Sequence, residues 1–275
     1  MSKRRSTLLA ALLAGTAGVA VTTTLAARGE PVDTLSARAV SYGRAVPVGH
    51  GTARTYLTLE AGRPVELGIA FTETVLHGLQ PNDHSLPGVM TMPDGHAMFE
   101  HTLDMPADNP TPFRFAVLNW NPGGHEPPGI YDKPHFDFHF YMIDDAERRA
   151  IVPGATFESK GALHPAADEL PAGYVPTPPV PLMGTHWVDP KAPELNGRPF
   201  TQTFIAGSWD GRPTFLEPMI TKAFFESKPD FTAPIPEVKR HAAAGWYPRA
   251  YAIRWDGRAK EYRVSLRDFA RAEAE

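Results

Sequence analysis

The segment HFDFHFY, residues 135–141, alternates polar and aromatic side chains over its whole length. Because successive side chains on a β-strand point to opposite faces of the sheet, this pattern predicts a strand with two chemically different faces. Its three phenylalanines share one face, which we expect to pack in a hydrophobic core. The other face carries three potential metal ligands and a tyrosine: His135, Asp137, His139 and Tyr141.

The rest of the chain also favours strands over helices. Alternating or short apolar runs bounded by turn residues predict strands at 54–60, 64–76, 113–118, 201–206, 212–220, 249–255 and 261–266. Short helices are predicted at Asp145–Ile151, capped by Asp144, and at Pro236–Ala244. With 29 prolines and 23 glycines, the chain should be mainly β, or α+β: an antiparallel sheet or sandwich with long Pro/Gly-rich loops and a few short helices.

Residues 1–27 have the three-part pattern of a signal peptide. Basic residues at 3–5 precede an apolar stretch from 8 to 21, and Thr24 and Ala26 supply the small residues of a cleavage site. The apolar run is shorter than the roughly 18 residues of a membrane-spanning helix, so we expect cleavage and no stable membrane insertion afterwards. The protein is therefore predicted to be periplasmic or secreted. The paired arginines at 4–5 leave both the general secretory and the twin-arginine route open.

After the leader, residues 28–50 are predicted to be a flexible lead-in. Residues 51–275 are predicted to form a single β-rich domain, in which 226–275 is a candidate C-terminal extension. The 24 basic and 31 acidic residues that follow the leader give a formal charge of −7. No basic patch is present to neutralise phosphates, which argues against a nucleic-acid partner.

The chain contains no cysteine, which excludes thiolate catalysis, Cys-ligated zinc and iron–sulfur clusters. Any metal would be held by His, Asp, Glu and carbonyl oxygens. The GxSxG, HExxH, GxGxxG and Walker motifs are also missing, which argues against the common hydrolases, zinc proteases and nucleotide-binding proteins.

Strand geometry limits how the 135–141 ligands can be combined. Side chains two residues apart on a strand are separated by about 6.6 Å, and those four apart by about 13 Å. Asp137 can therefore share an ion with either histidine, whereas His135 and His139 cannot easily do so together. Further candidate ligands are His125 in the preceding loop and His186 on a later segment.

These residues suggest a site for zinc, manganese or iron. Its inner ligands would be Asp137, His135 or His139, and His186, with His125 as a further ligand. Glu126 and Glu217 are candidates for outer ligands or catalytic acid/base groups, and Tyr141 and Trp187 for the lining of a pocket. We favour a structural role for His96 and His101.

Three long motifs resemble a known family. NWNPGGHEPPGIYDKPHFDFHFYMID, MGTHWVDPKAPELNG (preceded by YVP) and FTQTFIAGSWDGRPTFLEPMIT look like a family of exported bacterial proteins linked to the extracytoplasmic-stress sigma factor and its anti-sigma factor. The resemblance covers roughly residues 40–225. It implies a mixed β-rich fold and homo-oligomers, and it supplies no reaction, substrate or catalytic residue.

Other interpretations of the same residues remain open, including whether the protein is an enzyme. One is a non-enzymatic homo-oligomer of the cell envelope that binds a small ligand or stress-damaged material, with a purely structural histidine cluster. Another is a metal-free pocket in which the His–Asp pairs relay protons. Convergence of a His135 or His139 nitrogen, an Asp137 oxygen and His186 to within about 4–5 Å would favour the metal, because the ligand atoms of one ion lie ~2.1 Å from it.

Overall fold

The computed structural model describes residues 38–273, so the predicted leader lies outside the described residues. Within that range the chain forms seventeen strands and three short α-helices. The strands are β1 (Arg38–Tyr42), β2 (Val46–Val48), β3 (Gly51–Glu60), β4 (Arg63–Thr72), β5 (Val89–Thr91), β6 (Ala97–Asp104), β7 (Phe115–Asn121), β8 (His135–Tyr141), β9 (Val175–Val180), β10 (Gly184–Val188), β11 (Gln202–Trp209), β12 (Arg212–Thr221), β13 (Asp230–Pro234), β14 (Gly245–Tyr247), β15 (Ala250–Asp256), β16 (Glu261–Arg267) and β17 (Ala270–Ala272). The helices are α1 (Asp145–Arg149), α2 (Phe157–Gly161) and α3 (Lys222–Glu226).

The strands form two large antiparallel sheets and a small ribbon. The first sheet has seven strands in the order β1-β3-β4-β16-β15-β13, with β2 added beside β3. The second has eight strands in the order β5-β6-β7-β8-β12-β11-β10-β9, and β14 pairs with β17. Strand β8 therefore lies near the middle of the second sheet, between β7 and β12.

The main core lies between the two large sheets. On β4 of the first sheet, the Phe71 ring lies 6.0 Å from that of Phe136 and 6.1 Å from that of Phe138, both on β8. All three rings are at most 1% exposed, and together with Phe140 they belong to one continuous apolar cluster. The predicted mainly β sandwich, with the three phenylalanines of β8 in its core, is confirmed.

Strands β7 and β8 are buried along their whole length, on both faces. Two smaller apolar clusters cover the second face, one around Tyr141 and Phe215 and the other around Tyr131 and Met219. Because strands buried on both faces cannot hydrate their polar side chains, those side chains must find partners within the protein.

Two boundaries differ from the sequence prediction because of strand pairing. Strands β1 and β2 lie inside the range 28–50, predicted to be a flexible lead-in, and both pair with β3. The candidate extension 226–275 contains β15 and β16, and β16 pairs with β4 along seven residues. Tyr251, Ile253 and Val264 from this part of the chain belong to the main core, so it is integral to the sandwich.

One predicted helix is confirmed and the other is wrong. Helix α1 begins after Asp144, whose side chain accepts a hydrogen bond from the Glu147 backbone N–H, as the cap predicts. The range 236–244 contains no helix. The Lys239 and Arg240 backbone N–H groups there both donate to the Asp168 carbonyl oxygen, which takes the place of helical bonding. Among residues 38–273, no helix is long and apolar enough to cross a membrane.

Candidate metal centre

The polar face of β8 continues onto β12 through the strand register. Pairing of Phe140 with Leu216 and of Asp137 with Met219 sets Glu217 beside His139 on the face away from the main core. Residues opposite each other in an antiparallel pair have Cβ atoms about 5 Å apart. The sheet thus brings a carboxylate to a histidine that lies 78 positions away in the chain.

His139, His186 and Glu217 form one candidate ligand set, which we name the Glu217 triad. Each offers one ligand atom, and these atoms lie within 4.8 Å of one another. One oxygen of Glu217, Oε1, lies 3.4 Å from His139 Nε2, and the other, Oε2, lies 3.6 Å from His186 Nε2. Atoms about 2.1 Å from a tetrahedral ion are separated by about 3.4 Å, so this spacing suits a shared cation.

Buried polar atoms in this triad lack partners. His139 is fully buried, and none of the described residues gives either of its ring nitrogens a hydrogen bond; Glu217 Oε2 is unpartnered in the same way. The ring lies between aromatic neighbours, stacked on Tyr141 at 5.5 Å and edge-on to Phe215 at 4.9 Å. A buried polar group without a partner costs about 1–3 kcal/mol, so a ligand that binds these atoms would stabilise the arrangement.

His125, His135 and Asp137 form a second set, which we name the Asp137 triad. Its three ligand atoms also lie within 4.8 Å of one another, and His135 Nε2 is 3.2 Å from Asp137 Oδ1. His125 comes from the loop between β7 and β8, and its ring centroid lies 4.7 Å from that of His135. The two strand histidines, predicted to be too far apart for one ion, therefore fall into different sets.

Hydrogen bonds to backbone groups orient three of the four histidines. The Nδ1 atoms of His135 and His125 lie 2.7 Å from the carbonyl oxygens of Lys133 and Glu126. His186 hydrogen-bonds the backbone of Gly184. A ring that donates through Nδ1 has its Nε2 lone pair free, and such support is typical of metal-binding histidines.

Two asparagines on β7 belong to this site and were not predicted from the sequence. Asn121 Nδ2 donates to Asp137 Oδ2 at 2.7 Å and lies 3.2 Å from His135 Nε2. Asn119, opposite Asp137 in the register, is fully buried and has no partner for its amide among the described residues. The sequence signal that could have identified these asparagines is the polar–aromatic–polar alternation of NWN, residues 119–121.

Both triads adjoin one cavity of about 470 Å³. Of the described residues that line it, four are acidic and none is Lys or Arg. These acids are Asp94, Glu126, Asp137 and Glu217. His96, assigned a structural role from the sequence, also lines the cavity, and its Nδ1 lies 2.5 Å from Asp94 Oδ1. The lining therefore favours cations.

Burial keeps three of the four histidines neutral at physiological pH. Desolvation lowers the pKa of His125 and of His186 to about 4 and the pKa of His139 to about 3. Neutral imidazole is the form that ligates a metal. These three rings are therefore ready to bind a cation at neutral pH.

The pKa values of the two buried carboxyl groups, Glu217 and Asp137, are shifted in opposite directions. Burial and the charge of Asp137 raise the pKa of Glu217 well above its usual value. Burial would also raise the pKa of Asp137, but the adjacent His135 holds it below its usual range. A divalent cation bound beside Glu217 would favour its ionised form.

The remaining predicted site residues lie in different places. Glu126 is exposed and lines the cavity, whereas Glu217 is buried within a ligand set. Tyr141 and Trp187, predicted to line a pocket, do not line this cavity. Trp187 alternates with His186 on β10, so it points to the opposite sheet face, where its Nε1 donates to Ser208 Oγ at 2.8 Å.

Comparison with protein-family models, with curated proteins and with solved structures finds no match to this chain.

Replacement of His139 by phenylalanine tests whether this histidine has a structural role. In the presence of a chelator, we expect His139→Phe to raise the free energy of unfolding by about 1–2 kcal/mol, because it removes two unpaired buried nitrogens among aromatic neighbours. Urea denaturation measures the effect. His164→Phe is the matched control, since His164 is exposed and makes an edge-to-face contact with Trp187. A loss of stability in His139→Phe would show that the histidine stabilises the metal-free fold.

Proposed function

We propose that this chain is an exported protein that binds a divalent metal ion, zinc, manganese or iron, on the Glu217 triad, and that the ion holds a small molecule in the adjoining cavity. The observation that carries the proposal is His139, a buried histidine with two unpartnered ring nitrogens beside a carboxylate. A structural histidine would use at least one of those nitrogens in a hydrogen bond.

Two histidines and one carboxylate are a set that proteins use for reactive metals. Zinc enzymes combine three such ligands with a water or substrate, and iron(II) oxygenases use the same three with open positions. His186 and Glu217 both line the cavity, so the open coordination position would face it. An ion there would polarise an oxygen of a bound molecule or activate a water.

The cavity wall indicates what kind of molecule enters. Its volume is in the range of small-ligand sites, and much of the lining is apolar: Met92, Met98, Pro127, Pro178, Pro179, Val180, Met183, Val188, Ile205 and Met219. Methionines adapt their shape to irregular ligands. We infer a ligand with an oxygen-donor head group for the ion and an apolar body for this wall. Glu126, exposed at the same cavity, would exchange a proton with the ligand.

The metal assignment predicts the composition of the purified protein. The parent chain should contain zinc, manganese or iron, measured by inductively coupled plasma mass spectrometry. His139→Phe and Glu217→Ala should each lower the content by about one ion per chain, because each removes one of three ligands. His164→Phe should keep the parental content. A parent protein with no metal above background, after purification without chelator, would refute the proposal.

The cavity wall predicts a dependence of affinity on ligand length. Hexanohydroxamate should bind the metal-loaded protein at least about tenfold more tightly than acetohydroxamate, since each buried methylene contributes up to about 0.8 kcal/mol. Isothermal titration calorimetry measures both affinities. His139→Phe is expected to weaken both ligands. Equal affinities for the two hydroxamates would contradict the inferred apolar body.

The extracytoplasmic location rests on the leader at residues 1–27. When the full chain is expressed in a Gram-negative host, we expect a shortened protein in the periplasm, with its new N-terminus close to residue 28 as read by mass spectrometry. Replacing the basic residues at 3–5 by glutamate should keep the full-length chain in the cytoplasm, because the positive n-region is part of the export signal. Full-length protein in the cytoplasm of both strains would contradict export.

A further inference from the structure

We propose that the cavity holds a second divalent ion, on the Asp137 triad, so that the site is a two-ion centre. This inference rests on the proposed function of the Glu217 triad for the first ion. It is carried by a different set of contacts, those of His125, His135 and Asp137.

Two of the three ligand atoms of this set face each other across a short distance. His135 Nδ1 lies 2.7 Å from the Lys133 carbonyl oxygen, which can only accept a hydrogen bond, so the Nδ1–H donates there. His135 Nε2 lies 3.2 Å from Asp137 Oδ1, and Oδ1 makes no hydrogen bond among the described residues. This distance is close to the ~3.4 Å that separates two ligand atoms of one tetrahedral ion, each about 2.1 Å from it.

The burial and partners of Asp137 support the same ion. Its carboxylate is 3% exposed, and Oδ1 has no hydrogen-bond partner among the described residues. The other oxygen, Oδ2, accepts from Asn121 Nδ2 at 2.7 Å. One oxygen is therefore held in place while the other is aimed at the histidines, as in a carboxylate that binds a metal through one atom.

His125 completes the set from the other side. The carbonyl oxygen of Glu126 accepts from its Nδ1 at 2.7 Å, which leaves Nε2 free. The only competing contact that the structure describes at His135 Nε2 is Asn121 Nδ2, at 3.2 Å. This amide also bonds Asp137, so an ion would replace only its weaker contact.

Charge favours two ions over one. The cavity lining contains four carboxylates and, among the described residues, no Lys or Arg. A single divalent ion on the Glu217 triad leaves the Asp137 carboxylate, 3% exposed, without a metal ion or a described Lys or Arg in the cavity lining to balance its charge. A second divalent ion supplies that charge where the free oxygen points.

The two triads occupy neighbouring positions along β8, because Asp137 and His139 are two residues apart on one face. Both triads adjoin one cavity, so a single bound molecule can contact both ions. Two-ion sites bind the separate oxygens of one group. The geometry therefore points to a carboxylate, hydroxamate or phosphate group as the head of the ligand.

Metal stoichiometry tests the second ion. Chelator-treated full-length protein is loaded with Mn²⁺, freed of excess by gel filtration and analysed for manganese per chain. We expect about two ions in the parent, about one in His125→Ala, about one in His139→Phe and none in the variant that combines both. His125→Ala is the preferred change because His125 lies on a partly exposed loop; Asp137→Asn is the second variant. His164→Ala should retain two ions.

Electron paramagnetic resonance on the same samples adds a readout that a folding defect does not imitate. Parent protein should show spin coupling between two nearby manganese ions, and each single variant should show the spectrum of one isolated ion.

The outcomes separate the two proposals. One ion in the parent that survives His125→Ala and Asp137→Asn but is lost in His139→Phe would overturn the second ion and leave the first in place. One ion that is lost in His125→Ala and kept in His139→Phe would overturn the assignment to the Glu217 triad. No ion in the parent would overturn both.

Discussion

Burial of both faces of strand β8 is the constraint on which the rest of the structure depends. One face places Phe136, Phe138 and Phe140 against the first sheet, where Phe71 packs beside two of them. This packing fixes the orientation of the strand, since a shift by one residue would exchange its two faces. The opposite face must then carry its histidines and its carboxylate into a region that β12 and the covering loops also close to water. The apolar core thus determines where the polar groups lie.

Burial of these polar groups costs free energy, and hydrogen bonds within the protein offset only part of that cost. Hydrogen bonds to backbone groups hold three of the four histidines, and Asn121 holds one oxygen of Asp137. These contacts orient the ligand atoms before any ion binds, which lowers the cost of binding. The atoms left without partners, at His139, Glu217 and Asp137, are those aimed at the two ligand sets. Stability is lower at the places where binding would be strongest, a trade-off that is common at functional sites.

The parts of this arrangement that depend on local periodicity could be predicted from the sequence. The alternation in residues 135–141 predicted the two faces of β8, and the rise of a strand predicted that His135 and His139 cannot easily share one ion. Sequence reasoning did not pair Glu217 with His139, because their contact depends on the register of two strands far apart in the chain. It predicted a helix over 236–244, where backbone N–H groups instead donate hydrogen bonds to the Asp168 carbonyl oxygen. It also placed Trp187 in the pocket, although alternation with His186 on β10 sends the two side chains to opposite faces.

The alternative of a metal-free proton relay can be compared with a contact in the same cavity. Asp94 and His96 form a hydrogen-bonded pair at 2.5 Å, partly accessible to solvent, which is the geometry that a relay requires. The pairs within the two triads differ from it. Among the described residues, His139 Nε2, 3.4 Å from Glu217, makes no hydrogen bond, and neither does Asp137 Oδ1, 3.2 Å from His135 Nε2. Buried ligand atoms that face one another across 3.2–3.6 Å have the spacing of atoms around a cation. The relay geometry therefore belongs to the Asp94–His96 pair, and the two triads have the geometry of metal ligands.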